Sequence, residues 1–360
     1  MRNYYPGITL FKLAGCLLVL LAHVFLLRYL NVIPGKQLQF VLLLGRVIVP
    51  CFYVTAGFLA YQGWSHAADP RRYAGRYLKR LSLLYLLFCL LFAAQHTIPE
   101  LVRGGFGPTA ILNQAKILVI MFLVNGPFVQ FWFIPPLLFG IAAAYLLWRA
   151  GRLRLAGLLA LGSFLVIQLL GGSLRPHGGL VPVLLPFLNA DQAGYLELAL
   201  TRYAGFGFPF VMAGVLLGRY EQAFLRVRLR PYLLPLIGLN AAEAWFLMRY
   251  AEWSPDYRLA LSLLPNTLLL FYGILKVRSQ AVRRYHGWIN RFAVATFCAH
   301  IPLMALNLYV LNWSVESMSG WQDLAYLALT LVECLLVTYL AGRRWRRQAG
   351  KPAGRKAALG

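Results

Sequence analysis

The sequence predicts an all-α, polytopic membrane protein of about ten transmembrane helices with both termini in the cytoplasm, and three observations carry that prediction. First, 60% of the 360 residues are hydrophobic and only 13% are charged, against about 45–50% and about 25% in a soluble domain. Second, apolar runs of about 20 residues, the length that crosses a ~30 Å hydrocarbon core, recur along the chain. Third, the Lys and Arg between those runs fall mainly on alternate connections. The formal charge of +24, from 35 Lys and Arg against 11 Asp and Glu, is the other signal a nucleic-acid binder gives. Such proteins hold their basic residues on a solvated face beside an ordinary core. This composition leaves little such face, so no nucleic-acid partner is expected.

The runs lie at 8–28, 39–61, 78–97, 130–149, 155–172, 203–219, 231–250, 258–276, 288–312 and 322–342. Gly171-Gly172 and Pro209 interrupt the fifth and sixth. The stretch 113–124 is apolar but short, which predicts an interfacial or re-entrant segment rather than another span.

Charge orients the set. Arg2, the connections after the second, fourth, sixth and eighth runs, and the C-terminal tail hold 25 of the 35 basic residues. The opposite side holds eight: Arg28, Lys36, Arg103, Lys116, Arg175, Arg202, Arg249 and Arg258. The positive-inside rule places the first group in the cytoplasm. The outer connections near 98–129 and 173–202 are too short to fold alone, so residues 1–342 are expected to form one membrane domain. Residues 343–360 read as a disordered basic tail lying on anionic lipid. Cys16, Cys51, Cys89, Cys298 and Cys334 sit in apolar runs with no CxxC spacing, which predicts core-filling thiols and no metal site. No cleavable signal peptide and no inverted repeat is evident.

An ionisable group inside a span is expensive, so each one is a functional candidate. Lys12, His23, Arg46, Glu243, His300 and Glu333 are those groups. Lys12 and His23 are eleven residues apart, three helical turns plus roughly 20°, and so share a face of the first helix. His23 lies about 22 Å into the core, and Arg46 roughly 9 Å below the outer end of the second helix, which puts both in the outer half of the membrane. Glu243, His300 and Glu333 fall near the midplane. His300 has packing against neighbouring helices as its structural alternative, and Glu333 has neutralisation of a basic partner. A histidine flanked by cations suits general-base work. Buried cations suit an anionic donor or a tetrahedral oxyanion. Those parts fit acyl transfer, and they also fit carriage of an anionic or zwitterionic solute.

The segment from Gly7 to His23, GITLFKLAGCLLVLLAH, resembles the opening helix of the acyltransferase-3 family of integral membrane acyltransferases, Asp-x-x-Arg followed by His eleven residues after the Arg. His23 matches, Lys12 stands for the Arg and Thr9 for the Asp. GRVIVPCFYVTAGFL from Gly45 is similar to the family's second helix at Arg46, Val49, Pro50, Phe52, Gly57 and Phe58. Arg80 and Tyr85 fit the third-helix motif, with Leu84 in place of Pro and Arg76 displaced. Phe131-Trp132-Phe133, FPFVMAGVLLGR and Phe297-Cys298-Ala299-His300-Ile301-Pro302 resemble later motifs, in order.

The resemblance implies transfer of an acyl group, most often acetyl, from cytoplasmic acyl-CoA to a hydroxyl of an extracytoplasmic carbohydrate or envelope glycolipid. The setting implied is a bacterial-type plasma (inner) membrane. By the same carry-over His23 is catalytic, with Lys12 and Arg46 beside it. Arg76, Lys79 and Arg80 receive the donor's phosphates, while Tyr85, Trp132, His300, Glu333 and Glu243 border the substrates. A carrier or flippase of a small solute or lipid-linked glycan is the alternative. A polysaccharide polymerase is a third class, and it usually carries a large outer loop that this chain lacks.

Overall fold

The computed structural model of the protein describes residues 4–26, 46–175, 179–250 and 259–349, with side chains described up to 342. Arg28, Lys36, Arg258, the start of the second expected span (39–45) and the tail from 350 lie outside the described residues. Among the described residues there is no β-strand; one isolated bridge joins Gly172 to Leu259. The α-helices of six residues or more are α1 (Pro6–Leu21), α2 (Ile48–Ser65), α3 (Pro70–Phe92), α4 (Ile98–Gly104), α5 (Pro108–Ile120), α6 (Ile134–Arg149) and α7 (Leu153–Leu170). They continue with α8 (Ala190–Leu200), α9 (Phe208–Arg219), α10 (Glu221–Arg226), α11 (Arg230–Tyr250), α12 (Leu263–Lys276), α13 (Gln280–Leu311) and α14 (Gly320–Ala349).

Among the described residues, eight helical stretches are long and apolar enough to cross a membrane: Pro6–Phe25, Pro70–Gly104, Pro108–Asn125, Val129–Arg149, Leu153–Leu170, Ala190–Arg219, Gln280–Leu311 and Gly320–Gly342. The protein is therefore an all-α, multi-pass integral membrane protein. Three more of the expected runs are helices that are shorter or more polar: α2, α11 with Asn240, Glu243 and Arg249, and the 14-residue α12. The run expected to be too short at 113–124 differs. Pro108, at a first turn where its missing N–H goes unneeded, starts a helix that continues to Asn125. Hydropathy undercounted it because Asn113, Gln114 and Lys116 lower the local average without breaking a helix.

Helix starts also lie earlier than the apolar runs. The Asp69 carboxylate accepts the Arg72 N–H at 2.9 Å and Pro70 follows it, so α3 begins eight residues before residue 78. Asn189 and Gln192 form a reciprocal capping box, which makes the outer connection before residue 203 a helix. The Ser279 hydroxyl accepts the Val282 N–H at 3.3 Å and opens α13.

The chain groups into two compact units. The larger comprises Met1–Asn3 with Pro34–Lys276, and the smaller Tyr4–Ile33 with Val277–Gly360. In the larger unit α2 and α9 meet along a glycine seam. A Cβ on Gly57 would overlap the Val211 carbonyl, and one on Gly214 the Val54 carbonyl. With no Cβ at those points the two backbones come into direct contact, the packing mode of membrane helices. Leu83, Leu86, Leu87, Leu90 and Leu91 of α3 and Leu158, Leu161, Leu165 and Val166 of α7 are exposed. A band of that kind is stable against acyl chains and not against water.

In the smaller unit α1 packs along α13, and α13 along α14. Leu20, Val24, Met304, Met318 and Tyr326 form its apolar cluster, and the Tyr326 hydroxyl donates to the Met304 carbonyl at 3.0 Å.

Candidate active site

The buried face of α13 carries Phe292, Thr296, His300, Met304 and Asn307. Steps of four, four, four and three keep them on one stripe of a 3.6-residue helix. Two apolar members border three polar ones, so a hydrogen-bonding strip runs along the interior of the smaller unit.

His300 is almost wholly buried, at 1% exposure. Its Nδ1 lies 2.8 Å from the Thr296 carbonyl oxygen and 3.1 Å from that of Phe297. Carbonyls only accept, so Nδ1 is the nitrogen that carries the proton, and a neutral ring has its lone pair at Nε2. That Nε2 is buried with no hydrogen-bond partner among the described residues.

The His23 ring lies beside it, centroid to centroid 5.3 Å and tilted 39°. His23 Nδ1 is likewise buried and without a hydrogen-bond partner among the described residues. His23 does not sit in the regular part of α1. It lies in a π-helical turn, Ala22–Leu26, that continues it. Such turns shift the face that the following side chains present and recur at functional sites. The sequence placed Lys12 and His23 on one helix. At 1.5 Å per residue they are also about 16 Å apart along its axis, too far to act on one atom. Lys12 is half-buried, with no hydrogen bond or ion pair among the described residues.

Two turns further along the same stripe of α13, the Asn307 amide donates to Glu333 Oε2 at 2.8 Å and to the Thr330 hydroxyl at 3.2 Å. Glu333 has no cationic partner among the described residues, so an amide and not a base faces its carboxylate. Thr9, at the family's Asp position, is buried and accepts from the Tyr4 hydroxyl at 3.2 Å.

The remaining candidates belong to the larger unit. Arg46 is half-buried just before α2. Arg76, Lys79 and Arg80 are exposed along the first half of α3. The Tyr85 hydroxyl donates to the Phe122 carbonyl at 2.6 Å. Arg202 donates to the carbonyl of Val124 and, at 3.4 Å, to Asn125 Oδ1, while its guanidinium lies 5.0 Å from the Trp132 ring centroid. Tyr203 donates to the Leu123 carbonyl at 2.8 Å. Tyr85, Tyr203 and Arg202 thus satisfy three successive carbonyls at the end of the helix that starts at Pro108, and Trp132 is stacked against that clamp. Glu243, on α11, is buried against the residues that precede α12. It accepts from the Ser173 hydroxyl, from the Leu261 N–H and, at 2.8 Å, from the Ser262 N–H.

Sequence reasoning singled out neither Thr296 nor Asn307. Both could have been found by stepping four back and seven forward from His300, the spacing of one buried helical stripe. Arg202 was counted only as an outward-side charge.

The sequence profile of the acyltransferase-3 family, described as an acyltransferase domain, matches residues 5–341. The chain therefore belongs to that family, and it is an integral membrane acyltransferase of the O-acyltransferase type. No curated protein and no solved structure matches it.

Proposed function

We propose that the protein moves an acyl group, acetyl in the first instance, from cytoplasmic acyl-CoA to a hydroxyl of an extracytoplasmic carbohydrate or glycolipid. The membrane is a bacterial-type plasma membrane and both termini face the cytoplasm, which is where 25 of the 35 Lys and Arg then lie. The observation that carries the reading is the His23–His300 pair, with a buried, unpartnered nitrogen on each ring. Each nitrogen can accept one proton, so His300 Nε2 suits a neighbouring hydroxyl of the acceptor while His23 meets the reacting hydroxyl.

His23 takes the proton of that hydroxyl as its oxygen attacks the thioester carbonyl. A C–O bond forms and the C–S bond breaks. The proton passes from His23 to the departing thiolate, leaving the O-acyl product and free CoA. His300 orients the acceptor by accepting from that neighbouring hydroxyl through Nε2. Lys12, about 16 Å away along α1, meets an anionic part of the elongated donor rather than the reacting carbonyl. Arg76, Lys79 and Arg80 serve the donor's phosphates.

The test is transfer of radiolabel from acetyl-CoA by the purified protein, together with mass spectrometry of O-acyl groups on envelope glycans in cells carrying His23→Ala. Loss of both signals in the variant is the expected result. Unchanged O-acylation in His23→Ala overturns the mechanism, and absence of any acetyl-CoA binding favours a carrier on the same fold.

A further inference from the structure

In the larger unit, the C-terminal ends of α2 and α9 and the short helix α10 border an open surface cavity of about 630 Å³. That volume lies within the range of roughly 300–1,000 Å³ typical of small-molecule sites. Tyr61, Gln62, Ser65 and His66 line it from α2 and its cap, Gly218 and Arg219 from α9, and Arg226 from α10. Its walls are fixed in three ways. A Cβ on Gly218 would stand 2.8 Å from the Tyr61 ring, so glycine lets α9 press onto that tyrosine. Gln62 donates to Glu221 Oε2 at 3.1 Å, which joins α2 to α10. Arg219 donates to the Tyr61 hydroxyl at 3.5 Å.

The charge inside is unbalanced. Arg219 and Arg226 have no carboxylate partner among the described residues, and the one acidic side chain in the lining, Glu221, already accepts from Gln62. His66 Nδ1 is engaged by the Gln62 carbonyl at 3.0 Å, which leaves its other ring nitrogen as a further polar group. Topology alone asks for basic residues at this end of the helices. It does not ask for two guanidiniums around one concavity with an aromatic ring in its wall.

We propose that this cavity is a phosphate-binding subsite for the nucleotide end of the acyl donor, with Arg219 and Arg226 on the phosphate and the Tyr61 and Tyr220 rings bordering the base. The proposal rests on the acyl-transfer reading and adds to it a place for the part of the donor remote from the thioester. Guanidiniums suit it because they grip phosphate oxygens bidentately and stay charged.

The experiment uses the full chain in nanodiscs of zwitterionic lipid, with adenosine 3′,5′-bisphosphate as the calorimetric probe. Arg219→Gln/Arg226→Gln is expected to weaken binding about tenfold or more, the loss of one or two charge-assisted hydrogen bonds. The same variant raises KM for acetyl-CoA by a similar factor and leaves kcat within about threefold. Both side chains are exposed, so the variant keeps its thermal unfolding profile, and Arg152→Gln/Arg154→Gln on the same basic end controls for general charge. A wild type that does not bind the bisphosphate, or a double variant that binds as tightly as wild type, overturns the proposal. So does retention of phosphatidylglycerol by wild type and its loss in the variant with no nucleotide effect, which assigns the cavity to a lipid headgroup. If wild type transfers acetyl while the double variant keeps its KM, this inference falls and acyl transfer stands. If wild type transfers nothing, the functional reading has failed as well.

Discussion

Tyr85 and Phe122 are 37 residues apart in sequence, and the Tyr85 hydroxyl donates to the Phe122 carbonyl oxygen at 2.6 Å. That carbonyl lies in the π-helical turn Met121–Asn125, where ordinary helical bonding is interrupted and carbonyls need other donors. Tyr85→Phe removes the donor and keeps the ring. It is expected to destabilise the protein by about 1–2 kcal/mol, the cost of stranding a half-buried acceptor. Thermal unfolding in detergent measures this. KM for either substrate should not change, because the hydroxyl is already committed to the backbone, and a large rise in KM would instead mark Tyr85 as a substrate contact.

The glycines of the protein fall into two groups that a pair of substitutions separates. Gly214 faces the Val54 backbone with no room for a Cβ, whereas a Cβ on Gly162 of α7 meets nothing within 4 Å. Gly214→Val is expected to destabilise by about 2–3 kcal/mol or to prevent a monodisperse preparation, since the clash is with backbone and no side chain can move aside. Gly162→Ala is expected to be neutral or to stabilise by about 0.5–1 kcal/mol, the helix-propensity gain. Size-exclusion profiles and unfolding temperatures of the two variants decide the point. Equal behaviour would mean that the α2–α9 seam is not close-packed.

The class of fold was legible because lipid leaves the backbone few choices: apolar runs of spanning length must be helices. Their boundaries were less legible, because hydropathy registers the hydrocarbon core and not the helix. Asp69 with Pro70, Ser279 and the Asn189–Gln192 box are start signals in polar sequence, outside the apolar runs. The site was legible one residue at a time. His23 and His300 each stood out as ionisable groups in spans, but they are 277 residues apart and nothing local pairs their rings. The π turn that holds His23 has no sequence signature. Arg219 and Arg226 were visible only as topology charges, and a cavity between them depends on how α2 meets α9.

Glu243 gives a prediction about anchoring rather than chemistry. Its carboxylate accepts from the Ser173 hydroxyl and from the Leu261 and Ser262 N–H groups, so it ties α11 to Ser173 and to the two residues that precede α12. Glu243→Gln keeps one acceptor oxygen and turns an NH₂ toward donors. The expected loss is about 1–3 kcal/mol, read as a lower unfolding temperature with KM for acetyl-CoA preserved. Glu243→Asp, which keeps both oxygens on a shorter arm, should recover part of it. A variant that unfolds like wild type but fails to bind substrate would place Glu243 in a binding site instead.

The histidine pair separates into two kinetic signatures. His23→Ala removes the proposed base and should lower kcat for acetyl transfer by roughly 10²–10⁴, the span that general-base catalysis contributes. His300→Ala removes an orienting acceptor. It should lower kcat less, by roughly one to two orders of magnitude, because misplacing a reacting group is costly even when the base survives. His300→Gln can still present a carbonyl oxygen as acceptor, so it should retain more activity than His300→Ala. The double variant should be hardly slower than His23→Ala alone, since an oriented hydroxyl has no value once nothing takes its proton. Steady-state transfer of radiolabelled acetyl by the four proteins supplies the comparison. Fully additive losses would show that the two rings, 5.3 Å apart, act independently, and a His23→Ala protein with full kcat would remove His23 from the mechanism.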